Sequence, residues 1–152
     1  MSEWVKALGI DFGTARIGLA VSDDIGFLAH PLETVPASDM DRAIRRIAEV
    51  TEERGIRDLV LGLPLQMNGE EGEAVRGVRK FAARLRKAIP ESVAFHEVDE
   101  RRTTRDAMAK LHQAGRNEKN SRAIIDQAAA VEILQQWLDG RPEAFPPTGA
   151  PE

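Results

Sequence analysis

The sequence predicts an α/β domain of three layers, with helices flanking a mixed five-stranded sheet. Three observations predict it. The first three strand-length apolar runs follow one another through short turns, as antiparallel neighbours do. The next two, near residues 58–64 and 92–100, are each followed by helix-patterned segments, the alternation that builds parallel strands. The chain has 152 residues, enough for one real core and little more.

ALGID and RIGLAVS read as strands joined by the turn FGTA, with Gly13 at the bend. FLAHPLETV reads as a third, edge strand, because Pro31 has no N–H to give a ladder. Ser38 is expected to cap a helix from about Asp39 to Arg54, with Asp41 in its first turn and Gly55 as its stop. Ile44, Ile47, Ala48 and Val50 supply its apolar spacing. DLVLGLP, 58–64, is the continuous apolar run of a strand covered on both faces. The loop PLQMNGEEG leads to a helix from about Glu73 to Ala88, ended by Pro90, and SVAFHEVDE is the next strand. A helix from Thr103 to Gln113 ends at Gly115, and RNEKNS reads as a polar loop. Ser121 is then expected to cap a long helix to about Leu138, stopped by Gly140 and Pro142. The domain is thus placed at 1–140, and the Pro-rich 141–152 is expected to be disordered.

Composition narrows the function classes. There is no cysteine, which removes disulfides and thiolate metal sites and makes a reducing compartment the default. MSEWVKALGID lacks the apolar stretch of a signal peptide, and no run is long enough to span a bilayer. A cytoplasmic protein without a membrane partner is expected. The net charge of −4 hides an uneven distribution. Residues 76–87 carry six Lys/Arg and no acid, and residues 101–122 carry seven against Asp106 and Glu118. Such clustering is either a polyanion-binding surface or a pair of solvated helix faces.

Three acids stand where acids are costly. Asp11 ends an apolar strand segment that contains no Lys or Arg. Glu100 ends the run VAFHEVDE, at the carboxyl end of a strand expected to lie parallel to the first. Ligands gather at the carboxyl ends of strands in open α/β sheets. Asp126 interrupts a helical stripe that continues through Ala129, Ala130, Ile133 and Trp137, so it is expected to face the sheet. Each has an ordinary explanation: a turn cap, a solvated strand end, and a pair with Arg122 one turn back. Brought together, three carboxylates would raise one another's pKa, and hard oxygen donors of this kind suit Mg²⁺ or Mn²⁺. Of the histidines, His30 and His112 lack partner spacing, and His96 reads as a satisfied structural side chain.

The stretches LGIDFGTARIGLAVSD, LVLGLPLQMNG, VDERRTT and IIDQAAAVEILQQWLD resemble, in order and spacing, the YqgF (RuvX) family, over residues 5–139. That resemblance implies an RNase H-like fold, with three antiparallel N-terminal strands and then two parallel ones. It implies a nuclease similar to Holliday-junction resolvases and associated with maturing the 5′ end of the 16S ribosomal RNA precursor. It also carries the family's acidic triad onto Asp11, Glu100 and Asp126, as ligands of a pair of divalent ions about 4 Å apart. One ion would activate water for in-line attack and the other would stabilise the departing 3′ oxygen. Arg101, Arg102 and Arg105 follow Glu100 and are placed to neutralise flanking phosphates. Arg102 stands where a leucine is usual. Arg16 is either a surface charge or a phosphate contact, and Asn68 and Gly69 either touch substrate or form a plain turn. The implied partners are precursor rRNA or branched DNA, with ribosomal precursor particles, and the chain is read as a monomer or dimer. Three other readings stay open: a resolvase-like DNA endonuclease, a catalytically silent RNA-binding assembly factor, and an ATP-binding enzyme of the actin/Hsp70 type.

Overall fold

Strand β1 (Ala7–Phe12) turns through Gly13 into β2 (Arg16–Ser22), which pairs with it antiparallel, and β3 (Ala29–Pro36) adds antiparallel to β2. The structure is a computed structural model that describes residues 6–13, 15–65, 68–99 and 118–141, with 118–126 as backbone only. Strands β4 (Asp58–Leu63) and β5 (Ala94–Asp99) continue the sheet on the other side of β1, both parallel to it, so the order is β3-β2-β1-β4-β5. The expected mixed sheet of three antiparallel and then two parallel strands is the one found. Pro31 lies on the edge strand, where the missing donor costs no ladder bond. The β2–β3 register slips there, with Leu19 opposite Glu33 but Ala20 opposite Pro31.

Alternation divides each central strand between two cores. Leu8, Ile10, Ile17, Leu19, Leu59, Leu61 and Leu63 face one side, under α1 (Met40–Glu53) and α2 (Glu73–Ala88). From those helices come Ile44, Ile47 and Val50, and Val75, Val78, Phe81 and Leu85. Ala7, Ala20, Val60 and Val98 face the other side, under α3 (Glu118–Asp139), which contributes Ala130, Ile133, Leu134 and Leu138. At about 25 cal/mol per Å² of apolar surface removed from water, burial on both faces of β4 explains its continuous apolar run.

Two boundaries differ from the sequence reading. The N-cap of α1 is Asp39, not Ser38: its backbone is extended and its carboxylate accepts from the Arg42 N–H. Both residue types cap well, and the one at the first helical turn takes the role. The last helix starts at Glu118, so Ser121 lies inside it and most of the expected RNEKNS loop is helical. Gly55, with φ of +64°, ends the first helix as expected. The Thr103–Gln113 helix and the 142–152 tail lie outside the described residues.

Candidate functional site

The β1–β2 hairpin sets the position of Asp11. A Cβ on Gly13 would sit 2.7 Å from the Arg16 carbonyl oxygen. Only glycine lets the two strands close that tightly, so the turn delivers Asp11 to the last stretch of β1 with its partner Gly18 directly across. Asp11 shares the parity of Ala7 and Gly9, which places it on the α3 face at the carboxyl end of the strand. It is half-buried. On the other side, Ile10 pairs with Leu61, so the next residue of β4 at that level is Gly62. Asp11 thus has a glycine in each neighbouring strand and no bulky side chain beside it in the sheet.

Helix α3 crosses this face antiparallel to β1. A Cβ on Gly9 would lie 2.7 Å from the Leu134 Cβ and 2.9 Å from the Ala130 carbonyl oxygen, so helix and strand touch backbone to backbone there. Leu138 packs in the cluster with Ala7 at the start of β1. Nearer the helix N-terminus, the Gln127 side-chain amide donates to the Thr34 hydroxyl at 3.0 Å. Thr34 pairs with Gly18, and Gly18 with Asp11. That bond holds position 127 of the helix level with the row of the sheet that contains Asp11. Residue 126 precedes it in the helix backbone. Its side chain lies outside the described residues, but Ala129, Ala130 and Ile133 of the same stripe are fully buried against the sheet.

At that same end of the sheet, β5 closes with Leu63 opposite Asp99. Glu100 follows Asp99 in the chain and, with Arg101, Arg102 and Arg105, lies outside the described residues. Arg16 opens β2 with the parity of Gly18, which puts it on the α3 face beside the turn, half-buried. Among the described residues, then, Asp11, Arg16 and the Gln127 region of α3 come together. The carboxyl-end location and the oxygen donor of Asp11 fit a hard divalent cation.

The basic segment 76–87 is not part of this arrangement. It forms α2, on the opposite face of the sheet. Asn68 is occupied by its own turn, its side-chain oxygen accepting from the Glu70 N–H at 2.9 Å, which favours the plain turn. His96 is satisfied as expected: its Nε2 lies 2.8 Å from an Asp58 carboxylate oxygen and its ring packs on Trp137 at 4.7 Å. Sequence reasoning missed two contributors. One is Gln127, whose only signal is a second polar residue beside Asp126 in an apolar stretch. The other is the glycine pair Gly9 and Gly62, each at the α3-facing parity of its strand; Gly18, across from Asp11, is where the sequence reading expects a close backbone approach.

Residues 5–140 match the family model of RuvX, described as Holliday junction resolvase. A protein of Nocardia farcinica named "Putative pre-16S rRNA nuclease" is 44% identical over 153 residues, covering 97% of this chain and 84% of its own length. Proteins of the same name from Corynebacterium jeikeium and Streptomyces avermitilis are 39% and 46% identical, covering 92% and 88% of this chain and 90% and 85% of theirs. Among solved structures, T. thermophilus RuvC in complex with a Holliday junction substrate superposes with a TM-score of 0.53 at 17% identity, covering 87% of this chain and 96% of that one. The yeast mitochondrial Holliday junction resolvase Ydc2 gives 0.53 at 12% identity, covering 88% and 77%. At such identities the likeness speaks for the fold alone, and the fold is the RNase H-like one expected.

Proposed function

The chain belongs to the RuvX family, and on that premise we propose that it is a nuclease that hydrolyses phosphodiester bonds in structured RNA, processing the 5′ end of the 16S rRNA precursor. The observation that carries the site is the hydrogen bond from Gln127 to Thr34, which brings the segment of α3 bearing Asp126 level with Asp11. Asp11, Glu100 and Asp126 are the ligands of Mg²⁺ or Mn²⁺ in this reading. Divalent ions, when bound, supply Lewis acidity for water activation and for the charge that develops on the leaving oxygen.

The protein's own side chains do the rest. Asp11 presents an acceptor-only carboxylate at the carboxyl end of a strand, with glycines on both sides leaving room for a phosphate to approach. Arg16, and Arg101, Arg102 and Arg105 after Glu100, hold the flanking phosphates and fix the register of the chain being cut. Arginine suits this because its fork matches phosphate oxygens in pairs. No histidine or serine nucleophile is required, consistent with His96 being engaged by Asp58 and Trp137.

The family description favours a second substrate, a four-way DNA junction. Cleavage mapping on a 16S precursor fragment and on a four-way junction, each with Mg²⁺ and then Mn²⁺, separates the two. The expected result is metal-dependent scission of the RNA, with Asp11→Asn cutting below detection while still binding it. Preferential cutting of the junction assigns the second substrate. Binding without metal-dependent cleavage by the unmodified protein overturns the nuclease reading in favour of a silent assembly factor, and ATP hydrolysis overturns it in favour of a nucleotide enzyme.

A further inference from the structure

Helix α2 carries six basic residues and a single acid, Glu73 in its first turn. The structure sorts those six into two groups. Arg79 is held by Glu71 at 2.7 Å and by Glu97 at 2.9 Å, Arg84 pairs with Asp41 of α1, and Arg86 lies over the Phe95 ring at 4.2 Å. Arg76, Lys80 and Lys87 are exposed and, among the described residues, make no hydrogen bond or ion pair. Arg76 is near enough to Glu71 to help Arg79, the larger influence, hold that carboxyl below its ordinary range. At 100° per residue the three uncommitted cations fall within about 40° of one another, and the three committed ones flank them on either side. Their shared direction is opposite the buried stripe of Val75, Val78, Phe81 and Leu85. The result is a narrow crest of positive charge about 16 Å long, with only the small Ala83 between Lys80 and Lys87 on the same line.

This crest sits on the other face of the sheet from Asp11 but begins at the same end. Phe12, the residue after Asp11, stacks on Phe81 of α2 at 4.6 Å, and Gly77 packs against the Phe12 ring. A chain of phosphates leaving the carboxyl end of β1 therefore meets Arg76 first and Lys87 last. In a protein of net charge −4, three exposed cations aligned in this way, none of them bound to an acid among the described residues, complement a polyanion, not a neutral or basic partner. We propose that the Arg76–Lys80–Lys87 crest of α2 is a second RNA-binding surface, which holds the phosphate backbone of a helical arm of the substrate remote from the bond that is cut. The proposal rests on the reading of the chain as a nuclease of structured RNA.

The test compares two triple variants of the full chain that each lose three positive charges. One is Arg76→Gln/Lys80→Gln/Lys87→Gln. The other, a control at the opposite end of the sheet, is Lys6→Gln/Arg54→Gln/Arg57→Gln. Binding of a long, structured 16S precursor fragment is titrated across salt concentrations with Asp11→Asn in every background, so no cutting intervenes, and cleavage of a short duplex is measured separately without it. The crest variant is expected to bind the long RNA about tenfold more weakly at physiological salt, with the slope of log K against log salt reduced by about 2 to 3. The control is expected to change neither, and short-duplex cleavage is expected to be equal in all three. Equal losses in the two variants, or none in the crest variant, overturn the proposal. So does a crest variant that binds RNA normally but loses binding to phosphatidylserine vesicles, which assigns the crest to a membrane surface. Absence of cleavage in every protein, with the crest effect intact, removes the nuclease reading and leaves the RNA surface standing.

Discussion

Gly9 shows how one missing side chain places a helix. Its Cα hydrogen faces the α3 backbone, and the nearest atoms to any added Cβ are a Cβ and a carbonyl oxygen that have nowhere to move. Gly9→Ala is therefore expected to destabilise the protein by about 2 to 3 kcal/mol, as overpacking of a tight contact does, read as a lower midpoint in urea unfolding. The same push on α3 is expected to reduce cleavage beyond what the stability loss explains. From the sequence alone, a glycine inside a strand reads only as a weak strand former. Asp11 was legible because an ionisable residue in an apolar strand demands a reason. Gly9 and Gly62 were not, because their reason is the helix packed on top of them.

Among the elements, α1 is fastened to the edge strand by charge. Arg46 donates from Nε and Nη2 to the two oxygens of Glu33 at 2.9 and 2.8 Å and also reaches Glu49. The hydrogen bond from Arg46 holds the Glu33 carboxyl below its usual range, against a smaller opposing cost of burial. A carboxyl lowered on folding contributes stability that is present in full above its unfolded pKa and is lost as acidification passes through the lowered value. Thermal melts from pH 7 down to pH 3 are expected to show this loss. Arg46→Met is expected to flatten the acid limb of that profile, and an unchanged profile would show that the clasp contributes nothing. Pairings of this sort were invisible beforehand, as Glu33 and Arg46 belong to different elements. The same holds for α2, whose six cations read as one uniform face until Asp41, Glu71 and Glu97 claimed two of them. Its boundaries were legible, Glu73 to Ala88 in both readings, because Gly72 and Pro90 punctuate the chain on either side. The start of α3 was not, since Glu118 to Ser121 have no apolar spacing to betray a helix.

At the level of the whole molecule, the fold was readable because the order of strands and helices admits few sheets. Short hairpin turns tie β1, β2 and β3, and the α1 and α2 segments force β4 and β5 to run parallel to β1. That Gln127 of α3 bonds the Thr34–Gly18–Asp11 row was not readable in the same sense; it follows from the direction in which α3 lies across the sheet. If those residues hold divalent ions in the folded state alone, Mg²⁺ or Mn²⁺ raises the unfolding temperature in a concentration-dependent way, by the amount that mass action sets. Scanning calorimetry is expected to show that rise for the unmodified protein and to lose it for Asp11→Asn. An equal rise in both would mean that the ions act elsewhere.

The slipped register at Pro31 has an effect that extends past a single molecule. An outer strand with unpaired amides is a template on which another copy can add its own strand. Here the proline removes one donor, the skipped residue beside it throws the following groups out of step, and a second proline, Pro36, closes the strand. A neighbouring copy that tried to extend the ladder along this margin would lose its pairing within a few residues, so crowding at high concentration does not turn this border into a seam for aggregation.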